Sequence, residues 1–319
     1  SARGWMMRVV FGRHDERPPG RERDRALDFR SEWAKSRVPR HSHWHGHFRS
    51  SPNPDGSPAA MTDSSLNFVE VGTGSEGRRI AVRARAGKAP AVLWLGGFHS
   101  DMKGTKAAAL DAWAEAQGRG CVRFDYSGHG ESSGAFADGT IGRWLADSVT
   151  VFDAYCDGLT VLVGSSMGGW LALLLNRVLR QRAVPPRGSV SGMVLIAPAV
   201  DFTEELMWKR FPAKVRAEIE KTGSWQRPSA YGEDPYPITR ALIEDGRAHL
   251  MLGGLIETGC PVRILQGVKD PDVPFAHAME LVTRLAHDDV VLTLVKDGDH
   301  RLSRPEDIER LLTAVAEFA

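Results

Sequence analysis

Cysteine is scarce in this chain, and the three that occur, Cys121, Cys156 and Cys260, are odd in number and show no C-x-x-C spacing. That excludes a disulfide framework and a cysteine-based zinc module, and it fits a reducing compartment. Long apolar runs are absent too. No stretch reaches the roughly 18 to 20 residues that span a bilayer, and the start of the chain lacks the apolar core of a secretory signal. A soluble protein is expected. Net charge is nearly absent, at +1, which removes the electrostatic case for a nucleic acid or an anionic membrane as partner. The balance is uneven along the chain: residues 1–60 carry a surplus of +5, and the rest carries −4.

Residues 1–60 are rich in Arg, Pro, His and Ser and have no sustained periodicity, so they read as an extension outside the core fold. Met61 opens the first regular segment. An upstream start, an expression remnant at Ser1-Ala2 and a targeting segment all account for what precedes it. His41, His43, His45 and His47 alternate as on one strand face, but without cysteine or carboxylate in register they favour adventitious metal binding, and no metal is expected.

From Leu66 the pattern changes to short apolar strands alternating with helical periodicity. Leu66–Val71 and Arg79–Arg85 read as an opening antiparallel hairpin. Buried strands follow at 91–95, 121–126, 159–163, 191–196, 262–266 and 290–295, and helices at 106–117, 141–155, 170–180, 274–286 and 305–318. Ser303-Arg-Pro-Glu306 has the spacing of a capping box for the last helix. Strand–helix alternation demands right-handed crossovers and a mostly parallel α/β sheet flanked by helices, with ligands beyond the carboxyl ends of the strands.

The organising stretch is Leu159-Thr-Val-Leu-Val-Gly164-Ser165-Ser166-Met167-Gly168-Gly169, an apolar strand that ends in G-x-S-x-G before a helix. This is the pattern of a nucleophile elbow, with Ser166 at its tip and small residues where the helix turns back across the strand. A serine hydroxyl needs a base, an orienting carboxylate and donors for an oxyanion. His300 follows the last strand and is the expected base. Asp270 follows the strand before it and is the expected carboxylate, with Asp272 as the alternate. The amides of Met167 and Phe98, the latter in the loop Gly96–Met102, are the expected oxyanion donors, and His99 is a weaker candidate for substrate contact. Asp125-Tyr-Ser-Gly-His129-Gly-Glu-Ser132 lies at another strand end and reads as a structural turn.

The motifs 95–107, Phe124–Gly134, Gly164–Trp170 and Leu195–Ala199, taken in order, make residues 61–319 resemble an α/β-hydrolase. The similarity is to the branch holding a mitochondrial acyl-protein thioesterase that also hydrolyses acyl glucuronides, with its bacterial relatives. The resemblance implies a serine hydrolase of carboxylic esters or thioesters, with a small-molecule or lipid-acyl substrate, no cofactor, and Ser166, Asp270 and His300 as its triad. The Ser, Asp, His chain order agrees with that fold. Residues 200–260, inserted after the sixth strand 191–196, fit a small helical cap, in which Met207 and Trp208 suit an acyl chain; an apolar stripe packed on the body gives the same pattern. Acyl transfer, carbon–carbon bond hydrolysis or perhydrolysis use the same triad, and a non-catalytic binding protein is the alternative of another class. The cytoplasm is the expected compartment, with an organelle matrix as the alternative.

Overall fold

In a computed structural model the structure describes residues 6–10, 65–228, 234–287 and 289–318. Strands β1 (Met6–Val10), β2 (Leu66–Val71), β3 (Arg78–Arg85), β4 (Lys88–Leu95), β5 (Arg119–Phe124), β6 (Leu159–Ser165), β7 (Ser189–Ile196), β10 (Val262–Gly267) and β11 (Val290–Val295) form one sheet, in the order β1-β11-β10-β7-β6-β4-β5-β3-β2. The six strands from β11 to β5 run parallel, and the hairpin β2–β3 joins β5 antiparallel, as the sequence pattern predicts.

One expectation is corrected at the start of the chain. Met6–Val10 is not outside the fold but pairs antiparallel with β11, from Met6 opposite Val295 to Val10 opposite Val291. The apolar pentapeptide Met-Met-Arg-Val-Val was obscured by the Arg- and Pro-rich composition around it. The histidines at 41, 43, 45 and 47 lie outside the described residues.

Five helices belong to the layers around the sheet: α1 (Thr105–Ala116), α2 (Ile141–Tyr155), α3 (Met167–Gln181), α6 (Phe275–Arg284) and α7 (Pro305–Ala316). The strands are apolar without alternation because both faces are covered. Leu93, Leu95 and Leu162 point into one core with Trp144 and Trp170, whereas Val92, Trp94, Val161 and Val163 point into a second core with Leu110, Leu311 and Val315. Burying each such side chain contributes about 1.5–3 kcal/mol. All three cysteines are buried as free thiols, and burial raises Cys121 and Cys156 to about 12.

Between β7 and β10 the chain inserts a π-helical turn (Thr203–Met207), a 3-10 turn (Trp208–Arg210), α4 (Ala213–Thr222), the small hairpin β8 (Ser224–Arg227) and β9 (Tyr236–Thr239), and α5 (Arg240–Arg247). Asp201 anchors its far end, accepting hydrogen bonds from the Met251 amide at 2.9 Å and the Leu252 amide at 2.9 Å. The start of α7 differs in detail from the predicted cap. Arg304 is the N-cap residue, and its amide donates to Asp307 at 3.3 Å, one position later than the Ser303/Glu306 pairing. Ser303 Oγ is turned elsewhere, donating to the Arg301 carbonyl at 2.9 Å and accepting from Lys106 Nζ at 3.1 Å.

Candidate active site

The turn after β6 places Ser166 where only a tight crossing of strand and helix is allowed. A Cβ on Gly164 would overlap the Gly168 carbonyl, and one on Gly168 would overlap the Leu95 carbonyl of the neighbouring strand, so both positions exclude side chains. Ser166 itself sits at φ 55°, ψ −118°, a region that non-glycine residues avoid and that surrounding packing must impose. Its amide donates to the Ile196 carbonyl at 2.8 Å, which locks the bend to β7.

Three residues distant in sequence meet here. His300 Nε2 is 3.0 Å from Ser166 Oγ, and His300 Nδ1 is 2.8 Å from Asp270 Oδ2. Asp270 is held from several directions. Its Oδ1 accepts from the amides of Asp272 at 2.9 Å and Val273 at 2.8 Å, and Gln266 Nε2 donates to Oδ2 at 3.2 Å. With every other lone-pair direction used, the carboxylate presents Oδ2 to the imidazole, so the Nδ1–H tautomer is favoured and Nε2 faces the serine as an acceptor. The Asp270 side chain is fully buried and that of His300 is 17% exposed, an arrangement of fixed carboxylate and partly accessible imidazole. Asp272 supplies an amide to this network; the carboxylate facing His300 Nδ1 is that of Asp270.

Met167 is the first residue of α3, and Gly97 lies against Ser166, its Cβ position 3.5 Å from the serine Cβ. Among the described residues the amides of Met167 and Phe98 have no hydrogen-bond partner. Both therefore remain available as donors, and Met167 lies at the positive end of α3. The Phe98 ring is wedged among Phe136, Trp144, Phe202 and Tyr236, with centroids 5.0–5.8 Å away.

The Asp125–Ser132 turn is structural, as its sequence suggests. Asp125 accepts from the Met102 amide at 2.6 Å and the Glu131 amide at 2.8 Å. His129 Nε2 accepts from the His99 amide at 3.2 Å while its Nδ1 faces the Ser127 carbonyl at 3.2 Å, which makes it the Nδ1–H neutral tautomer. Burial lowers its pKa to about 4. His99 takes φ 57° at that point, and its exposed ring stacks on Tyr236 at 5.0 Å.

The expected cap residues Met207 and Trp208, and Lys209 beside them, have partners within the protein. Met207 is 5% exposed and packs in the main core. Trp208 lies under the Arg247 guanidinium, 5.2 Å from its ring centroid, and Lys209 pairs with Glu205 at 2.6 Å. The Trp208 and Lys209 contacts lie within the insertion, whereas Phe202 and Tyr236 are insertion residues that touch the loop of Phe98 and His99. In the sequence Tyr236 stands among the aromatic residues of the insert, but its contact with this loop has no periodic signal. For metal, the only suitably spaced group among the described residues is Asp270, Asp272 and His300, with ligand atoms within 4.8 Å of one another. An ion there would have to displace the Asp270–His300 hydrogen bond.

Comparison with known proteins agrees with this architecture. Residues 91–311 match the family model described as "Alpha/beta hydrolase family". The human mitochondrial palmitoyl-protein thioesterase ABHD10 is 33% identical over 262 residues, covering 82% of this chain and 82% of the relative. Among solved structures, a protein from Agrobacterium vitis S4 is 51% identical with a TM-score of 0.78, covering 80% of this chain and 98% of the other. Mouse alpha/beta hydrolase domain-containing protein 10 is 33% identical with a TM-score of 0.70, covering 79% and 97%. The chain belongs to the alpha/beta hydrolase family.

Proposed function

We propose that this chain is a serine hydrolase that cleaves acyl thioesters and carboxylic esters through an acyl-enzyme on Ser166. The observation that carries the proposal is the unbroken hydrogen-bond path from Ser166 Oγ through the His300 ring to Asp270, at 3.0 and 2.8 Å. In the acylation step Ser166 Oγ attacks the carbonyl carbon and its proton passes to His300 Nε2. Asp270 holds the ring and balances the imidazolium charge. The Met167 and Phe98 amides receive the developing oxyanion, an interaction whose loss costs about 2.7–4 kcal/mol per donor in comparable sites. The tetrahedral adduct collapses with cleavage of the carbon–sulfur or carbon–oxygen bond, and the leaving group takes the proton from His300. Water then attacks the acyl-serine with His300 again as base, releasing the acid and free Ser166.

The relatives named as palmitoyl-protein thioesterases support a long-chain thioester as the preferred substrate. Those relatives carry a mitochondrial location in their names, and the Agrobacterium protein is bacterial, so both the cytoplasm and an organelle matrix stay compatible with the family. Among the described residues no helix is long and apolar enough to cross a membrane. The test is turnover of a chain-length series of acyl thioesters beside the matching p-nitrophenyl esters. Hydrolysis of both classes, rising toward long-chain thioesters and lost in Ser166→Ala, is expected. Equal turnover in that variant removes the mechanism.

A further inference from the structure

We propose that Lys106 is a positioning residue for the base, tying the loop that carries His300 to the helix that follows the loop of Phe98. The inference rests on the triad mechanism proposed above. Lys106 lies in the first turn of α1, and its Nζ reaches across 195 positions of sequence to donate to the Arg301 carbonyl at 2.5 Å and to Ser303 Oγ at 3.1 Å. Arg301 is the residue next to His300. On the other side of His300, the Gly298 carbonyl accepts from the Lys269 amide at 2.9 Å. The base is thus suspended between two fixed points, one backbone contact to the loop after β10 and one side-chain contact to α1.

The stretch between these points needs an external hold. Leu302 sits at φ 42°, a conformation unfavourable for a branched side chain, and its amide donates to Asp299 at 3.0 Å. Lys106 supplies the hold from an unusual position for a cation. Its stem runs along a small cavity walled by Ile196, Leu265, Val295, Leu302 and Leu311. Among the described residues no carboxylate forms an ion pair with its ammonium. Asp307, the nearest buried acid on α7, is taken by Arg304 at 2.8 Å and Arg310 at 3.1 Å.

An ammonium placed this way costs stability, and burial, followed by the charge of Arg301, lowers its pKa to about 8 against the weaker opposing pull of Asp299 and Asp307. What the placement provides is two charge-assisted hydrogen bonds to the loop that sets where His300 stands. Arg310 faces the same cavity, with its guanidinium paired to Asp307. Catalytic distance is unforgiving: a displacement of about 1 Å in a reacting group costs up to about 100-fold in rate. Above about pH 8 the neutral amine makes weaker bonds, and the loop loosens.

The experiment is steady-state hydrolysis of p-nitrophenyl butyrate by the full chain, blank-corrected, with Lys106→Met, Lys106→Arg, Ser166→Ala and His300→Ala. Lys106→Met is expected to lower kcat about 10- to 100-fold with KM within about twofold, and Lys106→Arg to recover most of kcat. Wild-type kcat is expected to fall as pH rises through about 8, and that of Lys106→Arg to hold over the same range. Wild-type kcat in Lys106→Met overturns the inference. If Lys106→Met fails to fold, a wild-type kcat that stays flat through this range overturns it equally. A fully active His300→Ala would instead sink the triad mechanism, so the two failures are separable.

Discussion

His129 makes this fold sensitive to acid at a place that can be isolated by one substitution. Its side chain is buried, ringed by Tyr126, Phe136 and Trp144 at 5.1–5.7 Å, and its Nε2 must be unprotonated to accept the His99 amide. In the folded state its pKa is pushed down to about 4 by burial, from an ordinary 6.5. The unfolded chain therefore takes up a proton that the folded chain refuses in the window between those values. Stability is intact above about pH 6.5, is lost as pH falls toward 4, and stops changing from this source below 4. Fully developed, the loss is about 3 kcal/mol, and at about pH 5 it is about 2 kcal/mol. His129→Gln keeps an acceptor for the His99 amide and cannot titrate. Urea unfolding of both proteins at about pH 8 and about pH 5 compares the two drops in stability, so that contributions from other histidines cancel. The wild type should lose about 2 kcal/mol more than the variant. Equal losses would refute the neutral, acceptor-bearing tautomer and with it the account of how the Phe98–His99 segment is held.

Two further substitutions test the site from its packing and its electrostatics. Gly168→Ala puts a methyl group into the Leu95 carbonyl and should destabilise by about 1–3 kcal/mol in thermal unfolding, with loss of Ser166 labelling; an unperturbed, active variant contradicts the tight elbow. Asp270→Asn keeps the side-chain shape but presents an amide to His300 Nδ1, turning the ring toward the wrong tautomer, so kcat should fall about 10³- to 10⁴-fold while the melting temperature changes little. A loss below tenfold would mean that another group orients the base.

Much of this was legible in the order of residues, for identifiable reasons. Strands buried on both faces are uniformly apolar, so β4, β6 and β11 stand out without any homologue. The elbow carries its own glycines because backbone crosses backbone there, and loop residues at strand ends are few enough that Asp270 and His300 could be singled out. Illegible features share a different cause: they depend on partners far away in sequence. Met6–Val10 has strand character only because the edge of β11 is free to receive it. The cap of α7 moved to Arg304 because Ser303 already faces Arg301 and Lys106. Met207 and Trp208 suit an acyl-chain lining and a packed core equally, because apolar side chains in an insert serve core and cavity alike. Tyr236 and Lys106 reach the site only through contacts that no local spacing encodes.

The most direct measurement is the mass of the intact protein after brief exposure to a fluorophosphonate, with the modified peptide located by fragmentation. A single adduct on Ser166, absent in Ser166→Ala and strongly slowed in His300→Ala, is the predicted result. A protein that stays unmodified, or one labelled elsewhere with Ser166→Ala reacting as fast as the wild type, would contradict the claim that this serine is an activated nucleophile.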